Sequence, residues 1–469
     1  MNDPLFSLAA LRYAVRELGR RAGADAGWIA SWQLEVRPDR VAIAVEPDNP
    51  ARVVIPHQPR TAAQLTLASE RAPARFDWPP GTAVAGTQDF VVPFESDGEP
   101  QRRPIYSLES PALARFQADL LTPALWMLSR VEETMSPASD EHGRFPAAAS
   151  MAGRFGFLDR PIVDEYALAL RQALSALVPS RALAPLRFRA KLSHDIDEPG
   201  VPGRLRTTIG HLYPRRLPGA FARDLAAAAG LTEPAYLRAV TALARTSRER
   251  SLDSAFYWQA AKPSRWEAGY PLDDPRIRAV LRRLIGEGFE VGIHPSYAAY
   301  ESQALLEAEV QALRGVAGDG PMGGRQHYLR WRPPTWRAWE RAGLAYDSSV
   351  GFADAIGFRA GTAVPYHPWL CQEDRESGLL EIPLIVMDVT PVQYMSLAPG
   401  AVVGAVAEVV GRCRAVGGVF TLLWHNDRTV CRPYSGLYPR ILDLLEPCER
   451  YDWESDRAIA PLPQARASL

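Results

Sequence analysis

The sequence predicts an α/β protein whose larger, C-terminal part is a parallel sheet or a (β/α) barrel, preceded by a smaller α+β domain. The chain has 469 residues, more than one ordinary core accommodates. From Pro185 onward, strand-like and helix-like segments alternate, which is typical of parallel sheets. Several of these strands end in Asp or His, and such folds carry their chemistry at the carboxyl ends of strands. We therefore expect an N-terminal α+β domain over residues 1–185 and a barrel domain over residues 186–469.

The N-terminal part mixes helices and strands. Helical spacing of apolar residues predicts a helix in LFSLAALRYAVRELGRRAG, and short strands are predicted in WQLEVRPDRVAIAV, ARVVIP and TQDFVVPF. Further helices are expected in PALARFQADLLTPALWMLSRVEET and in RPIVDEYALALRQALSALV. Because this part has no cluster of carboxylates, histidines or cysteines, we predict a structural or substrate-positioning module. Its only histidines, His57 and His142, are not expected to bind a metal.

Predicted strands and helices alternate along the C-terminal part. Strands are predicted in RFRAKLSHD, SAFYWQA, FEVGIH, GLLEIPLIVMD and VFTLLWHN. Helices are predicted in EPAYLRAVTALARTSRERS, DPRIRAVLRRLIGEG, PTWRAWERAG and AVVGAVAEVVGRCRAVG. This order predicts parallel strands whose carboxyl ends lie together.

Charge and composition exclude several classes of partner. The formal net charge of −1 argues against a nucleic acid or an anionic membrane bound by bulk electrostatics. The first residues lack the basic start and the unbroken apolar run of a secretory signal, and no segment has the length of a transmembrane span. The 4 cysteines include no CxxC pair, as expected of free thiols in a reducing compartment. We predict a cytoplasmic protein, and the sequence leaves its oligomeric state open.

Two carboxylates stand at the end of the strand in RAKLSHDIDEPG. Asp195 and Asp197 point the same way, because side chains of an extended strand alternate with a period of two. Like charges held so close repel each other unless a cation or a proton lies between them. A solvated strand end followed by a turn would also explain this stretch, since Asp, Pro and Gly are common turn residues.

Other strand ends carry ionisable groups as well. His294, Asp388 and His425 each follow a predicted strand. Each has an ordinary explanation alone: a turn before a proline, a strand terminator, or a neighbour of a helix cap. Together with the two aspartates they favour a catalytic divalent metal, which needs a few protein ligands and one open position. One aspartate would be a ligand and the other a base that takes a proton from a water on the metal.

These residues carry a family resemblance. The ordered strings SHDID, SAFYWQ, GFEVGIHPSY, GGRQHYLRW and LLWHN resemble the polysaccharide deacetylase family, carbohydrate esterase family 4. LSRVEET, DEHGRFPAAASMAGRFGFLDRPIVDEY, YDSSVGFADAIGFRAGT and EIPLIVMD are similar to its bacterial surface-polysaccharide branch, which has a long N-terminal extension. The resemblance implies a distorted (β/α) barrel and a metal-dependent hydrolase that removes N- or O-acetyl groups from a sugar.

The resemblance also implies roles for individual residues. Asp195 would be the base, and Asp197 and His294 metal ligands. Arg325 would orient the base, and His425 would protonate the leaving group. Leu423 and Trp424 would line the acetyl pocket. Asp388 is our candidate to keep His425 charged, with a strand terminator as the alternative.

The sequence departs from the family at one ligand. The family places a second histidine four residues after the first, and that position is Ala298 here. His327 is the best candidate to replace it, although an imidazole that contacts a sugar or packs structurally is an equal alternative. The ligand types favour Zn²⁺ as the divalent cofactor.

Two functions therefore compete. The first is a deacetylase that acts on an acetylated sugar or glycan precursor of an exopolysaccharide or O-antigen. The second is a carbohydrate-binding or assembly protein that keeps the barrel and has lost hydrolysis. Ala298 favours the second, as do Trp331, Trp336 and Trp339, which would either stack on sugar faces or fill the core. The two aspartates favour the enzyme, because an unneutralised pair would destabilise the fold.

Overall fold

The computed structural model describes residues 3–46, 50–79, 87, 89–95, 100–200 and 234–458. The helices are α1 (Leu8–Ala22), α2 (Ala26–Ser31), α3 (Ala62–Ser69), α4 (Leu121–Ser129), α5 (Glu132–Met135), α6 (Met151–Arg154), α7 (Ile162–Leu177), α8 (Ala235–Glu249), α9 (Pro275–Gly286), α10 (Gln303–Ala317), α11 (Pro334–Arg341), α12 (Pro399–Val416), α13 (Tyr434–Asp443) and α14 (Trp453–Arg457). Short 3₁₀ or π turns cover Ala147–Ala149, Tyr297–Glu301, His327–Leu329, Thr390–Tyr394 and Asp427–Val430.

The strands are short in the N-terminal part and longest at the centre of the C-terminal part. They are β1 (Gln33–Arg37), β2 (Arg40–Ala44), β3 (Arg52–Pro56), β4 (Ala74–Asp77), β5 (Phe90–Val92), β6 (Pro100–Pro104), β7 (Tyr106–Ser110), β8 (Leu113–Phe116), β9 (Arg189–Ile196), β10 (Asp253–Trp258), β11 (Glu290–Ile293), β12 (Tyr346–Asp347), β13 (Trp369–Leu370), β14 (Arg375–Glu376), β15 (Leu380–Glu381), β16 (Val386–Met387) and β17 (Val419–Leu423). Two predicted elements include a residue outside the described ranges. These residues are Gln88 in the predicted strand TQDFVVPF and Glu233 in the predicted helix EPAYLRAVTALARTSRERS.

The N-terminal part contains two mixed sheets and the helices α1 and α7, which pack on each other. One sheet has the order β1-β2-β3-β8-β7, and the other has the order β5-β4-β6. The predicted helices in LFSLAALRYAVRELGRRAG and RPIVDEYALALRQALSALV are confirmed as α1 and α7. The Ser7 hydroxyl caps the first turn of α1, and Gly23 ends the helix in the left-handed region.

One predicted helix is wrong over its first half. The segment from Leu113 to Phe116 is strand β8, which pairs with β3 on one side and β7 on the other. Its buried residues Ala114 and Phe116 alternate with half-buried ones, which is the period of a strand. Helix formation starts only after Asp119, whose carboxylate accepts hydrogen bonds from the next turn. Pairing with two neighbouring strands thus overrides a sequence that is compatible with a helix.

The C-terminal part is built on a parallel sheet with the order β11-β10-β9-β17-β16. Beyond β11, Gly324 forms parallel bridges to Ile293 and to Asp347, which leads to the parallel pair β12–β15. The predicted strand GLLEIPLIVMD is divided into β15 and β16, which pair at opposite ends of this array. The α/β class of this part is therefore confirmed, and a closed barrel stays a prediction.

The two parts share one apolar core. A single cluster of buried apolar side chains includes Phe6 at one end of the chain and Leu445 at the other. Buried ion pairs cross between the parts as well: the Glu133 carboxylate binds the Arg359 guanidinium, with Nε 2.9 Å from Oε1. The domain boundary after residue 185 remains a prediction. Within the described ranges, no helix is both long and apolar enough to cross a membrane.

Gly324 is a position where a side chain does not fit. A Cβ atom there would lie 1.9 Å from the Ile293 carbonyl oxygen, which is backbone and cannot move aside. We expect Gly324→Ala to lower the free energy of unfolding by about 1–3 kcal/mol, the usual effect of overpacking. Denaturant unfolding measures this change.

The matched control is Gly315→Ala on the exposed side of α10, where a Cβ meets nothing within 4 Å. Alanine has the higher helix propensity, so this variant should be more stable by about 0.5–1 kcal/mol. Equal stability of the two variants would contradict the role assigned to Gly324.

Candidate active site

The strand ends bring the predicted site residues together at one edge of the sheet. Asp195 is the last but one residue of β9, and Asp197 follows the strand. His294 directly follows β11, and His425 lies two residues after β17. Parallel pairing aligns these carboxyl ends, because β10 and β17 flank β9 and β11 lies beside β10. Residues separated by more than two hundred positions therefore face each other.

Asp197, His294 and His327 form a group that could hold a metal ion. One ligand atom from each lies within 4.8 Å of the other two. The Asp197 Oδ1 atom is 3.2 Å from His294 Nε2 and 3.6 Å from His327 Nε2. Ligand atoms about 2.1 Å from a tetrahedral zinc lie roughly 3.4 Å apart. The buried His294 Nε2 atom faces the Asp197 carboxylate, at the position where a cation would take the place of a proton.

Both histidines are oriented by a partner on the other ring nitrogen. His294 Nδ1 lies 2.6 Å from the Arg325 carbonyl oxygen. His327 Nδ1 lies 3.1 Å from Glu267 Oε1. Because a carbonyl or carboxylate oxygen only accepts here, each Nδ1 carries the proton and donates it. Each Nε2 then presents its lone pair, as metal-binding imidazoles require.

Asp195 is buried and held by Arg325. The guanidinium donates from Nη1 to Asp195 Oδ1 at 2.9 Å. It also donates from Nε to the Ser348 carbonyl and from Nη2 to the Ser348 hydroxyl, at 2.8 and 3.0 Å. The second carboxylate oxygen, Oδ2, lies 3.7 Å from His294 Nε2. Arg325 thus fixes one oxygen of Asp195 and leaves the other directed at the candidate metal position.

His425 is paired with Asp388, as proposed from the strand ends. Its Nδ1 lies 2.8 Å from Asp388 Oδ1, and its backbone N–H donates to Oδ2 at 2.8 Å. Burial alone would lower the pKa of His425, but the carboxylates of Asp388, Asp197 and Asp195 together outweigh it, Asp388 most of all, and raise the pKa to about 10. The Nε2 atom faces the site, 3.7 Å from Asp197 Oδ2. A pKa raised in this way favours the protonated form of His425 at neutral pH.

The charges at this edge reinforce one another. Burial would raise the pKa of Asp197, but the imidazoles of His327, His294 and His425 hold it well below its usual range. Burial likewise opposes the charge on His294, and the Asp195 and Asp197 carboxylates raise its pKa. The Asp195 and Asp197 carboxylates thus favour positive charge beside them, which either a proton on His294 or a bound cation supplies.

Sequence reasoning missed two residues that contact the site. The Gln259 amide, after β10, donates from Nε2 to Asp197 Oδ1 at 3.0 Å. Glu267 stands in a loop, SRWEAGY, that matches no motif, and it also accepts the backbone N–H of Tyr297 at 2.6 Å. Only 4% of the Glu267 surface is exposed, and this burial depends on the tertiary structure and not on a local sequence pattern. Burial would raise the pKa of Glu267, but its hydrogen bonds with His327 and its neighbours lower it.

Several predicted residues lie in the core. Trp331, Trp336 and Trp339 are fully buried, so they fill the core and do not stack on a sugar. Leu423 and Trp424 are buried too, and Trp424 packs against Tyr438 with ring centroids 4.8 Å apart. Their part in an acetyl pocket stays a prediction.

Comparisons with known proteins find distant relatives. A family model described as a family of unknown function, DUF7033, matches residues 69–179. A search of curated proteins finds no match. A putative polysaccharide deacetylase from Mycobacterium smegmatis is 15% identical in sequence, with a TM-score of 0.40 over 59% of this chain and 91% of that chain.

Two further solved structures are similar over a comparable length. The polysaccharide deacetylase Bc1974 from Bacillus cereus is 14% identical, with a TM-score of 0.31 over 57% of this chain and 94% of that chain. A putative polysaccharide deacetylase involved in O-antigen biosynthesis, from Bordetella bronchiseptica, is 13% identical, with a TM-score of 0.28 over 56% of this chain and 82% of that chain. The chain is distantly similar to structures of polysaccharide deacetylases over somewhat more than half of its length.

The Asp388–His425 pair generates a pH prediction. Removing the carboxylate charge in Asp388→Asn removes the main force that keeps His425 protonated, so its pKa should fall from about 10 by about one to three units. NMR titration of the imidazoles in metal-free protein measures this shift. His367 contacts neither residue and is the internal control, with a pKa that burial lowers. An unchanged His425 titration would contradict the pairing.

Proposed function

We propose that this protein is a metal-dependent hydrolase that removes an acetyl group from a sugar. One observation carries the proposal: a candidate metal triad lies between a buried carboxylate and a charged imidazole. Asp195 approaches the triad with one oxygen, and His425 approaches it with Nε2. Metal-dependent hydrolysis of an amide or ester uses these three components, namely a cation, a base and an acid.

Asp197, His294 and His327 would hold the ion, which leaves at least one position for substrate and water. When bound, a divalent ion supplies Lewis-acid polarisation of an acyl carbonyl and lowers the pKa of water. The donor set of one carboxylate oxygen and two imidazole nitrogens suits zinc. Zinc is thus our proposal for the cofactor.

Asp195 is proposed as the general base. Its Oδ1 is occupied by Arg325, so proton uptake falls to Oδ2, the oxygen that faces the triad. The guanidinium fixes the carboxylate in position until it takes the proton of the attacking water. Arg325 therefore acts as a positioning residue.

His425 is proposed as the general acid. Its Nδ1 proton is shared with Asp388, so Nε2 carries the proton that can be transferred to the departing nitrogen or oxygen of the sugar. Removal of an acetyl group as acetate then requires one proton taken at Asp195 and one donated at His425. The water supplies the hydroxyl group of the acetate, and the sugar keeps a free amine or hydroxyl group.

The binding-protein alternative rested mainly on Ala298 and the tryptophans. Ala298 is exposed on a short turn, whereas His327 Nε2 lies beside Asp197 and completes three candidate ligands without it. The tryptophans are in the core. The geometry thus favours the enzyme, with acetylated precursors of bacterial surface polysaccharides as the first substrates to test.

Metal content tests the triad. Wild-type protein loaded with Zn²⁺ and desalted should keep about one ion per chain. His294→Ala and His327→Ala should each lose it, because two ligands bind zinc far more weakly than three. The control is His367→Ala, which removes a buried imidazole that bonds the Leu379 carbonyl instead. Negligible metal in all four proteins would favour the binding-protein function.

Acetate release tests the chemistry. Asp195→Asn keeps the size of the base and His425→Ala removes the acid, so each should lower the rate about a hundred- to ten-thousand-fold while sugar binding persists. Asp443→Asn is the matched control, since Asp443 pairs with Arg250 at the surface. If acetate release survives both changes, or never occurs with the wild type on acetylated precursors, the enzyme proposal should be abandoned.

A further inference from the structure

We infer that the N-terminal part completes the metal site: its loop Asp140–Arg144 holds Tyr328 and thereby positions the ligand His327. This inference rests on the proposed function, because it takes Asp197, His294 and His327 as the metal ligands. It assigns positioning roles to His142 and Arg144, which touch no proposed ligand atom and lie far from the strand ends in sequence. The role of the extension would then be to build the site.

The turn that carries His327 is strained. Tyr328 and Leu329 both have left-handed backbone angles, with φ of 59° and 53°. Such angles are uncommon for bulky side chains and cost on the order of 1–3 kcal/mol each. A turn of this kind persists only where its surroundings hold it. The contacts on Tyr328 therefore decide where the preceding imidazole points.

The Trp266 and Tyr297 rings of the C-terminal part lie near the Tyr328 ring, with centroids 5.6 and 5.5 Å away. The nearest ring apart from His327, and the hydrogen bond to the Tyr328 backbone, come from the N-terminal part. The Arg144 guanidinium donates from Nη1 to the Tyr328 carbonyl oxygen at 3.1 Å. The His142 ring lies against the Tyr328 ring, with centroids 4.7 Å apart. The Tyr328 ring also packs against the ring of the preceding residue, His327, with centroids 4.6 Å apart. A direct chain of contact thus runs from the loop to the candidate ligand.

The loop itself is tightly closed. Asp140 Oδ1 accepts the backbone N–H of His142 and of Arg144, each at 2.9 Å. Asp140 Oδ2 accepts the Arg144 guanidinium at 2.7 Å. The Asp140 N–H in turn donates to the Arg144 carbonyl at 2.9 Å. The two side chains that reach Tyr328 therefore start from a fixed backbone.

The C-terminal part in turn binds the N-terminal part at and near this loop. Two arginines directly after the His327 turn donate to backbone carbonyls of the N-terminal part. Arg330 Nε binds the carbonyl of His142 at 2.9 Å, and Arg332 Nη2 binds that of Ala138 at 2.7 Å. Turn and loop hold each other from both sides, so a displaced loop would displace the turn.

Because the position of the family's second histidine is Ala298 here, the third ligand is His327, and the support of its turn becomes important. A ligand at position 298 would lie on the turn Tyr297–Glu301, only four residues after His294, whereas His327 lies on a separate, strained turn. Glu267 orients the His327 ring. Among the described residues, no hydrogen bond joins Glu267 to the Tyr328 backbone. The backbone support comes from Arg144.

The test measures zinc affinity of the full chain by calorimetry against a competing chelator. Arg144→Ala and His142→Ala should each weaken zinc binding about ten- to hundred-fold, the usual effect of removing support behind a ligand. His142→Phe keeps the ring contact with Tyr328 and should restore affinity close to that of the wild type. Arg412→Ala is the matched control: it breaks another ion pair between the parts, 2.7 Å to Asp159, away from the site.

The outcomes separate this inference from the proposed function. Weakened zinc binding in the loop variants, with unchanged binding in Arg412→Ala, supports it. A different result would overturn the inference and leave the metal site standing: wild type and Arg412→Ala bind zinc, and Glu267→Ala binds it weakly. Both loop variants would then bind zinc with wild-type affinity. If the wild type binds no zinc, the proposed function fails as well. Should Arg144→Ala not fold by circular dichroism, His142→Ala, whose ring is partly exposed, decides.

Discussion

The site depends on one electrostatic constraint, which is the pair of carboxylates at the end of the central strand β9. Asp195 and Asp197 face the same side of a buried strand end, where their mutual repulsion is weakly screened. Positive charge therefore has to surround them. Arg325 binds Asp195 from one side, and three imidazoles approach Asp197 from the other strands. Among these groups, Asp197, His294 and His327 are close enough together to hold a metal ion.

Each group that meets these carboxylates is itself held by a second partner. Arg325 is anchored by Ser348, His294 by a backbone carbonyl, His327 by Glu267 and His425 by Asp388. These outer contacts fix the tautomers and the directions of the rings, so little movement is needed when charge develops. The bridging Gly324 belongs to the same design, because only a residue without a side chain allows β11 and the strand after it to approach.

The N-terminal part is joined to this site and not merely attached to the C-terminal part. Its apolar core continues into that of the C-terminal part, and buried ion pairs such as Glu133–Arg359 cross between them. Burying such charges is favourable only when both partners are in place, so the parts specify each other's position. The loop at Asp140–Arg144 is the point where this packing reaches the candidate ligands.

Local sequence determined the elements whose periodicity is strong and the residues at their ends. The central strands and most of the long helices follow from their apolar patterns, although no prediction covered α10. Asp195, Asp197, His294 and His425 follow from their places after strands. Tertiary structure alone decided the rest. Strand β8 formed because two neighbours pair with it, His327 reached Asp197 through a strained turn, and Glu267, His142 and Arg144 gained their positions from segments distant in sequence. The physical reason is that local patterns report burial and backbone preference, whereas ligand geometry depends on contacts between remote segments, which no local pattern encodes.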